Sequence, residues 1–142
     1  MLEVEPQLID RYVASGTLTI VARPLLQSGE ISLQAAHAAE CAGEQSRYFA
    51  MRERIYASQG DLYTTQDLSQ ALTALAGDLG LDTTAHAECM MSKRYDQVLY
   101  EGHARAKNDG IVTKPVFEIN KTRVIGARPF ADFATIIDDM AP

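Results

Sequence analysis

Apolar positions along this chain recur at helical spacing, then alternate, then return to helical spacing for most of its length, and alternate again only near the end. Leu8, Ile9, Tyr12 and Val13 form a stripe that predicts a helix over 3–15, with Gly16 as its C-terminal stop and Pro6 near its start. Thr17-Leu-Thr-Ile-Val-Ala-Arg23 alternates and is β-branched, which predicts a strand closed by Pro24. From Ile31 to Gly110 the pattern is helical with punctuation. Ile31 to Cys41 is Ala-rich and reads as buried, Gly43 loosens it, and Glu44 to Ser58 continues with Tyr48, Phe49, Arg52, Ile55 and Tyr56. Thr64 with Asp67 forms a capping pair for a helix carrying Leu68, Ala71, Leu72, Leu75 and Leu79, ended by Gly80. Asp82 or Thr83 caps a short helix through Cys89, and Ser92 opens another whose stripe is Tyr95, Val98, Leu99, Gly102 and Ala106.

The last third reads as strand, turn, strand, helix. Val116 to Asn120 and Thr122 to Ile125 are separated by so little that they return on themselves as an antiparallel hairpin. Pro115 lacks a backbone donor and so belongs at the first position of a strand or on an edge, and base frequency alone makes its peptide bond trans. Gly126 stops the second strand, Pro129 fits the first position of a helix, and Phe130, Phe133, Ile136, Ile137 and Met140 follow at helical spacing. Strand-forming segments at both ends with a helical block between them predict one α/β domain, with sheet parts in 1–28 and 111–142 and a helical insertion over 29–110.

Composition sharpens this little. A chain of 142 residues with 46% apolar content buries a core without staples, and a net charge of −6 with no basic cluster argues against nucleic acid as a partner. No apolar run approaches the length of a bilayer span, and the acidic start does not have the pattern of an export signal, so the sequence as written reads as cytoplasmic.

Several stretches in order resemble the DsbA-like branch of the thioredoxin superfamily: Pro6-Gln-Leu-Ile-Asp-Arg-Tyr12 with Leu18 to Arg23 and Pro24; Ala38-Ala-Glu-Cys-Ala-Gly-Glu-Gln45 with Tyr48-Phe49; Asp67-Leu68 to Leu79-Gly-Leu-Asp82; Cys89 with Ser92 and Tyr95; and Thr113-Lys-Pro-Val-Phe-Glu-Ile-Asn120 with Val124 to Phe130. The resemblance implies a thioredoxin-like fold with a helical insertion and a thiol–disulfide oxidoreductase ancestry needing no cofactor. It makes Pro115 the family's cis-proline, reversing the trans expectation, and Thr113 and Lys114 the backbone that pairs with an extended peptide. Family members are usually extracytoplasmic. It also implies a C-x-x-C and a preceding strand upstream of Met1, and the sequence contains neither. The central strand between Leu18–Arg23 and Val116–Asn120 is then missing. A late start codon, a partner chain, such as a second copy pairing through the open strands, or pairing of the two flanking strands with each other would each account for the gap.

The remaining chemistry-bearing residues are weighed against this frame. Cys41 and Cys89 lie near helix C-termini, poor places to activate a thiolate, so no catalytic role is assigned to them. They read either as two buried small hydrophobes or, since some relatives carry a second, non-catalytic disulfide at matching positions, as a structural disulfide. A third reading uses the spacing of His37 with Cys41 and of His86 with Cys89 to surround zinc with two nitrogens and two sulfurs. His103 reads as an ordinary helix-face residue, Lys114 as a solvated loop cation unless a reactive sulfur faces it, and Glu40 and Glu44 as solvent-facing acids. The expected function is that of a DsbA-family homologue, redox-inactive over these residues. The alternatives are a non-catalytic peptide-binding module using Thr113, Lys114 and Pro115, and a zinc-stabilised structural protein.

Overall fold

The structure, a computed structural model, describes residues 3–140. It consists of α1 (Val4–Leu8), continuing into a π-helical turn (Ile9–Val13), α2 (Glu30–Gly43), α3 (Tyr48–Ala57), α4 (Gln59–Thr64), α5 (Leu68–Asp78), α6 (Thr83–Ser92), α7 (Asp96–Asn108), β1 (Val116–Ile119), β2 (Thr122–Ile125) and α8 (Phe130–Met140). The chain divides into two compact units, Met1–Ala22 with Ala106–Pro142, and Arg23–Arg105.

In the first unit, β1 and β2 pair antiparallel with Val116 opposite Ile125 and Ile119 opposite Thr122. Asn120 turns the chain at φ +52°, a conformation asparagine tolerates better than most residues. Pleating sends Phe117, Ile119 and Val124 to one face, where they meet Phe133, Ala134 and Ile137 of α8 and Leu8 and Tyr12 of the first helix. The rings of Phe117 and Phe133 meet edge to face at 4.6 Å. Tyr12 donates from its hydroxyl to Asp138 Oδ1 at 2.7 Å, and Arg11 reaches the other carboxylate oxygen at 3.0 Å, tying the first helix to α8. The first helix closes as its glycine predicts: Gly16 sits at φ +78°, its N–H bonds to Val13 O, and Leu18 N–H reaches back to Tyr12 O at 3.0 Å.

Residues 17–24 show the exposure that their sequence predicts, strictly alternating, with Leu18 and Ile20 packed into this core. They do not form the predicted strand, however, and neither do they pair with Val116–Ile119: the sheet of the described residues contains only β1 and β2. Side-chain alternation records which face is buried, whereas a strand also needs a neighbour to bond, and among the described residues no ladder joins this segment to another.

The second unit is all helical around α2, whose Ala38 and Ala42 are fully buried. Ala38, Ala39 and Ala42 pack with Met51 of α3, Leu62 of α4 and Leu72 of α5. Leu33 and Ala36, nearer the start of α2, instead meet Leu26 and Leu99. Three details differ from the sequence reading. Asp67, not Thr64, caps α5 by accepting from Gln70 N, and Thr64 ends the unforeseen α4. Ser92 ends α6 rather than opening α7, because Lys93 turns left-handed at φ +53°. Val98 is 57% exposed, so the buried stripe of α7 runs through Leu99 and Ala106 instead.

Phe133 is 2% exposed at the centre of the first unit. Phe133→Ala should cost about 3–5 kcal/mol, read as a lower urea midpoint with an unchanged slope.

A buried disulfide centre and a proline loop

Cys41 on α2 and Cys89 on α6 are joined by a disulfide, with their Cα atoms 5.8 Å apart, and among the described residues no cysteine is free. The bond requires the two helices to lie close, since a disulfide spans only a short Cα separation. Asp82 starts α6 by accepting from the N–H groups of Thr84 and Ala85. Gln45, just beyond α2, holds that corner with both ends of its amide: Nε2 donates to Asp82 O at 3.2 Å and Oε1 accepts from Asp82 N at 2.9 Å. With both sulfurs at most 1% exposed, a protein substrate cannot reach the bond without opening the helix pair.

Polar groups surround the sulfurs. His37, one turn before Cys41, is buried with Nδ1 2.7 Å from Asp96 Oδ1 and Nε2 3.3 Å from Cys89 O, and its ring meets Tyr95 edge-on. Both neighbours are acceptors, so a ring protonated on both nitrogens satisfies both and a neutral ring only one. Ser92 donates to the same carbonyl of Cys89 at 2.6 Å. His86, fully buried, donates from Nε2 to Ala38 O at 3.1 Å, while its Nδ1 has no partner among the described residues.

Of the two acids expected to face solvent, Glu44, just beyond α2, is exposed but paired, and Glu40 is half-buried. Glu44 Oε1 accepts from Arg94 Nε at 2.8 Å and from the Tyr95 hydroxyl at 2.7 Å, while Oε2 takes a second bond from the same guanidinium. These bonds, the Arg94 one foremost, hold the Glu44 carboxyl below its usual range, and the partnership with Glu44 raises both Arg94 and Tyr95. Glu44 Oε1 also lies 3.7 Å from Cys89 Sγ. A disulfide sulfur has no proton, so this is a contact and not a hydrogen bond. Glu40, one turn earlier, shifts the other way: burial raises it, against the charge of His37.

The zinc arrangement is corrected in two respects. The ligand atoms of His37, Cys41 and Cys89 lie within 4.8 Å of one another, but His86 is not among them. In the oxidised state both sulfurs are spent on each other, and neither is a thiolate that could bind metal. His103 is not an ordinary face residue, since its Nδ1 accepts from Leu26 N–H at 3.2 Å and anchors the segment before α2. In the first unit, the Lys114–Pro115 peptide bond is cis. Thr113 and Lys114 are exposed, Pro115 is half-buried, and Pro115 O accepts from Gly126 N at 2.9 Å, closing the hairpin behind the loop. The sequence reading did not find Arg94, Tyr95 and Asp96 as partners of Glu44 and His37; they lie on other segments some 50 to 60 residues away, and no periodicity pairs them.

Two expectations follow. Denatured, air-exposed protein should show no free thiol before reduction and two after it, and the paired Cys41→Ala, Cys89→Ala variant should unfold at lower urea. Since the bond closes a loop of 48 residues, the chain-entropy account makes that loss about 4 kcal/mol. Glu44 has a folded pKa below its unfolded one, so the stability it contributes is present above the ordinary carboxylate range and is lost as pH falls through the depressed folded value. Glu44→Gln should therefore be less stable than wild type at neutral pH, the gap closing in acid; a gap independent of pH would show that the ionised pair contributes nothing.

No curated protein matches the chain. A family model described as thioredoxin matches residues 1–139, nearly the whole of the 142-residue sequence, and supports a redox-type function at a coarse level. On that match and on the α/β architecture with its helical insertion, the chain belongs to the thioredoxin family.

Proposed function

We propose that this chain is a DsbA-like member of the family, serving thiol–disulfide exchange by holding an extended polypeptide along Thr113 and Lys114, ahead of Pro115. The observation that carries this reading is an open stretch of backbone. The main-chain groups of Thr113 and Lys114 have no partner among the described residues, immediately before a strand whose own pairing begins at Val116. Unpaired amides and carbonyls on an exposed segment leading into a sheet suit strand addition, in which the main chain supplies affinity and side-chain pockets supply selectivity. The exposed Lys114 adds a cation beside that segment.

Cys41 and Cys89 are not the reacting pair in this reading, because burial closes them to a substrate and their helix positions do not favour a thiolate. A second reading, a binder without chemistry, rests on the same loop together with the absence of any C-x-x-C from these 142 residues. Translating the genomic frame upstream of Met1 separates the two: a strand pattern ending in C-x-x-C supports exchange, and an immediate in-frame stop supports binding alone.

Titrating isotope-labelled chain with an unfolded, carboxymethylated polypeptide should shift the amide signals of 111–117 before any others. Thr113→Pro, which removes a donor and restricts the backbone, should weaken binding about tenfold, the equivalent of one hydrogen bond. Shifts confined to other segments would refute the loop as the docking edge. Residues 1–142 alone should not accelerate insulin reduction by dithiothreitol, and turnover lost in Cys41→Ser would place the chemistry at the buried pair instead.

A further inference from the structure

We propose that reducing the Cys41–Cys89 bond converts this centre into a binding site for a divalent transition metal, Zn²⁺ foremost, held by His37 Nε2 and the two thiolates. The three ligand atoms already lie within 4.8 Å of one another on two packed helices. Tetrahedral zinc, with bonds of about 2.3 Å to sulfur and about 2.0–2.1 Å to nitrogen, sets its ligands about 3.5–3.8 Å apart. Once the bond is cut, the two sulfurs need only part to that spacing. Two thiolates with one imidazole form a donor set that favours zinc over magnesium or calcium.

The surroundings fit a metal better than an empty dithiol. Asp96 Oδ1, 2.7 Å from His37 Nδ1, holds the ring so that Nε2 faces α6, the carboxylate–histidine arrangement that orients a metal-binding imidazole. The nearest partner of Nε2 is Cys89 O at 3.3 Å, and Ser92 still satisfies that carbonyl when Nε2 turns to a metal. Two thiolates cancel the charge of Zn²⁺, so the loaded centre is neutral where His37, Cys41 and Cys89 are 3%, 1% and 0% exposed. Glu44 Oε1, 3.7 Å from Cys89 Sγ, stands outside the three-atom cluster, which leaves the fourth position to water.

The chemistry balances in two steps. An external dithiol gives two electrons and two protons to the disulfide, becomes a disulfide itself, and leaves two thiols. Zn²⁺ then binds both sulfurs and releases those two protons to solvent. By mass action, metal stabilises the reduced chain and opposes reoxidation.

The test uses full-length chain reduced with a phosphine, freed of metal, and titrated with Co²⁺ and then Zn²⁺. One equivalent of Co²⁺ should give the intense visible bands of a tetrahedral site together with thiolate-to-cobalt charge transfer, and Zn²⁺ should abolish both. The oxidised chain should give neither. His37→Ala should lose the tetrahedral spectrum, and Asp96→Asn should bind about 10–100-fold more weakly while keeping it. If reduction unfolds the chain, Zn²⁺ should restore its helical circular dichroism. A folded reduced chain that binds no cobalt, an unfolded one that zinc does not restore, or equal binding by wild type and His37→Ala would each overturn the proposal.

Discussion

The constraint on which the helical unit depends is the closeness of α2 and α6. Cys41 lies on the buried stretch of α2, and its bond to Cys89 limits how far α6 can stand from it. The covalent bond fixes the spacing, and the Gln45 amide paired with both backbone groups of Asp82 fixes the corner where α6 begins. Two polar contacts cross the same helix pair, from His86 to Ala38 O and from His37 to Cys89 O, while the alanine side chains of α2 fill the core with Met51, Leu62 and Leu72, where a larger residue would overpack it.

Sequence and structure diverge in an instructive way. The hairpin, the glycine stops, the Asp82 cap and the burial of α2 were legible because each rests on local periodicity or on a residue with a specific backbone role. The alternation of Thr17–Arg23 was legible too, and in the structure it puts Leu18 and Ile20 against the core. What it could not supply was a neighbour, since a ladder is a property of two segments. Likewise Glu44 at the end of α2 gave no sign that Arg94 and Tyr95 would bond to it, because nothing within a helix encodes its partner on another. The pairing of Cys41 with Cys89 was legible only by resemblance, since two cysteines separated by 48 residues define no geometry by themselves.

The two units differ in what they leave exposed. At Thr113 and Lys114 the main chain is exposed and unpaired among the described residues, so what that segment offers is backbone. Around Cys41 and Cys89 the useful feature is how completely everything is enclosed, and there side-chain identity is restrictive.

The enclosure argues that the polar groups are there for more than packing. A disulfide between two packed helices is stable with apolar neighbours alone, and burying a histidine costs free energy unless its ring nitrogens are satisfied. His37 has an acceptor beside each nitrogen, a carboxylate from α7 at 2.7 Å and the carbonyl of Cys89, and a neutral ring can donate to only one of them. His86 does not fully meet that condition, since Nδ1 has no partner among the described residues. A leucine at position 37 would fill space at no such cost and would leave Asp96 facing solvent. The histidine's Nε2 instead lies beside Cys89 O, close to the one pair of cysteine sulfurs in the chain, where the proposed metal would use it once those sulfurs are no longer bonded to each other.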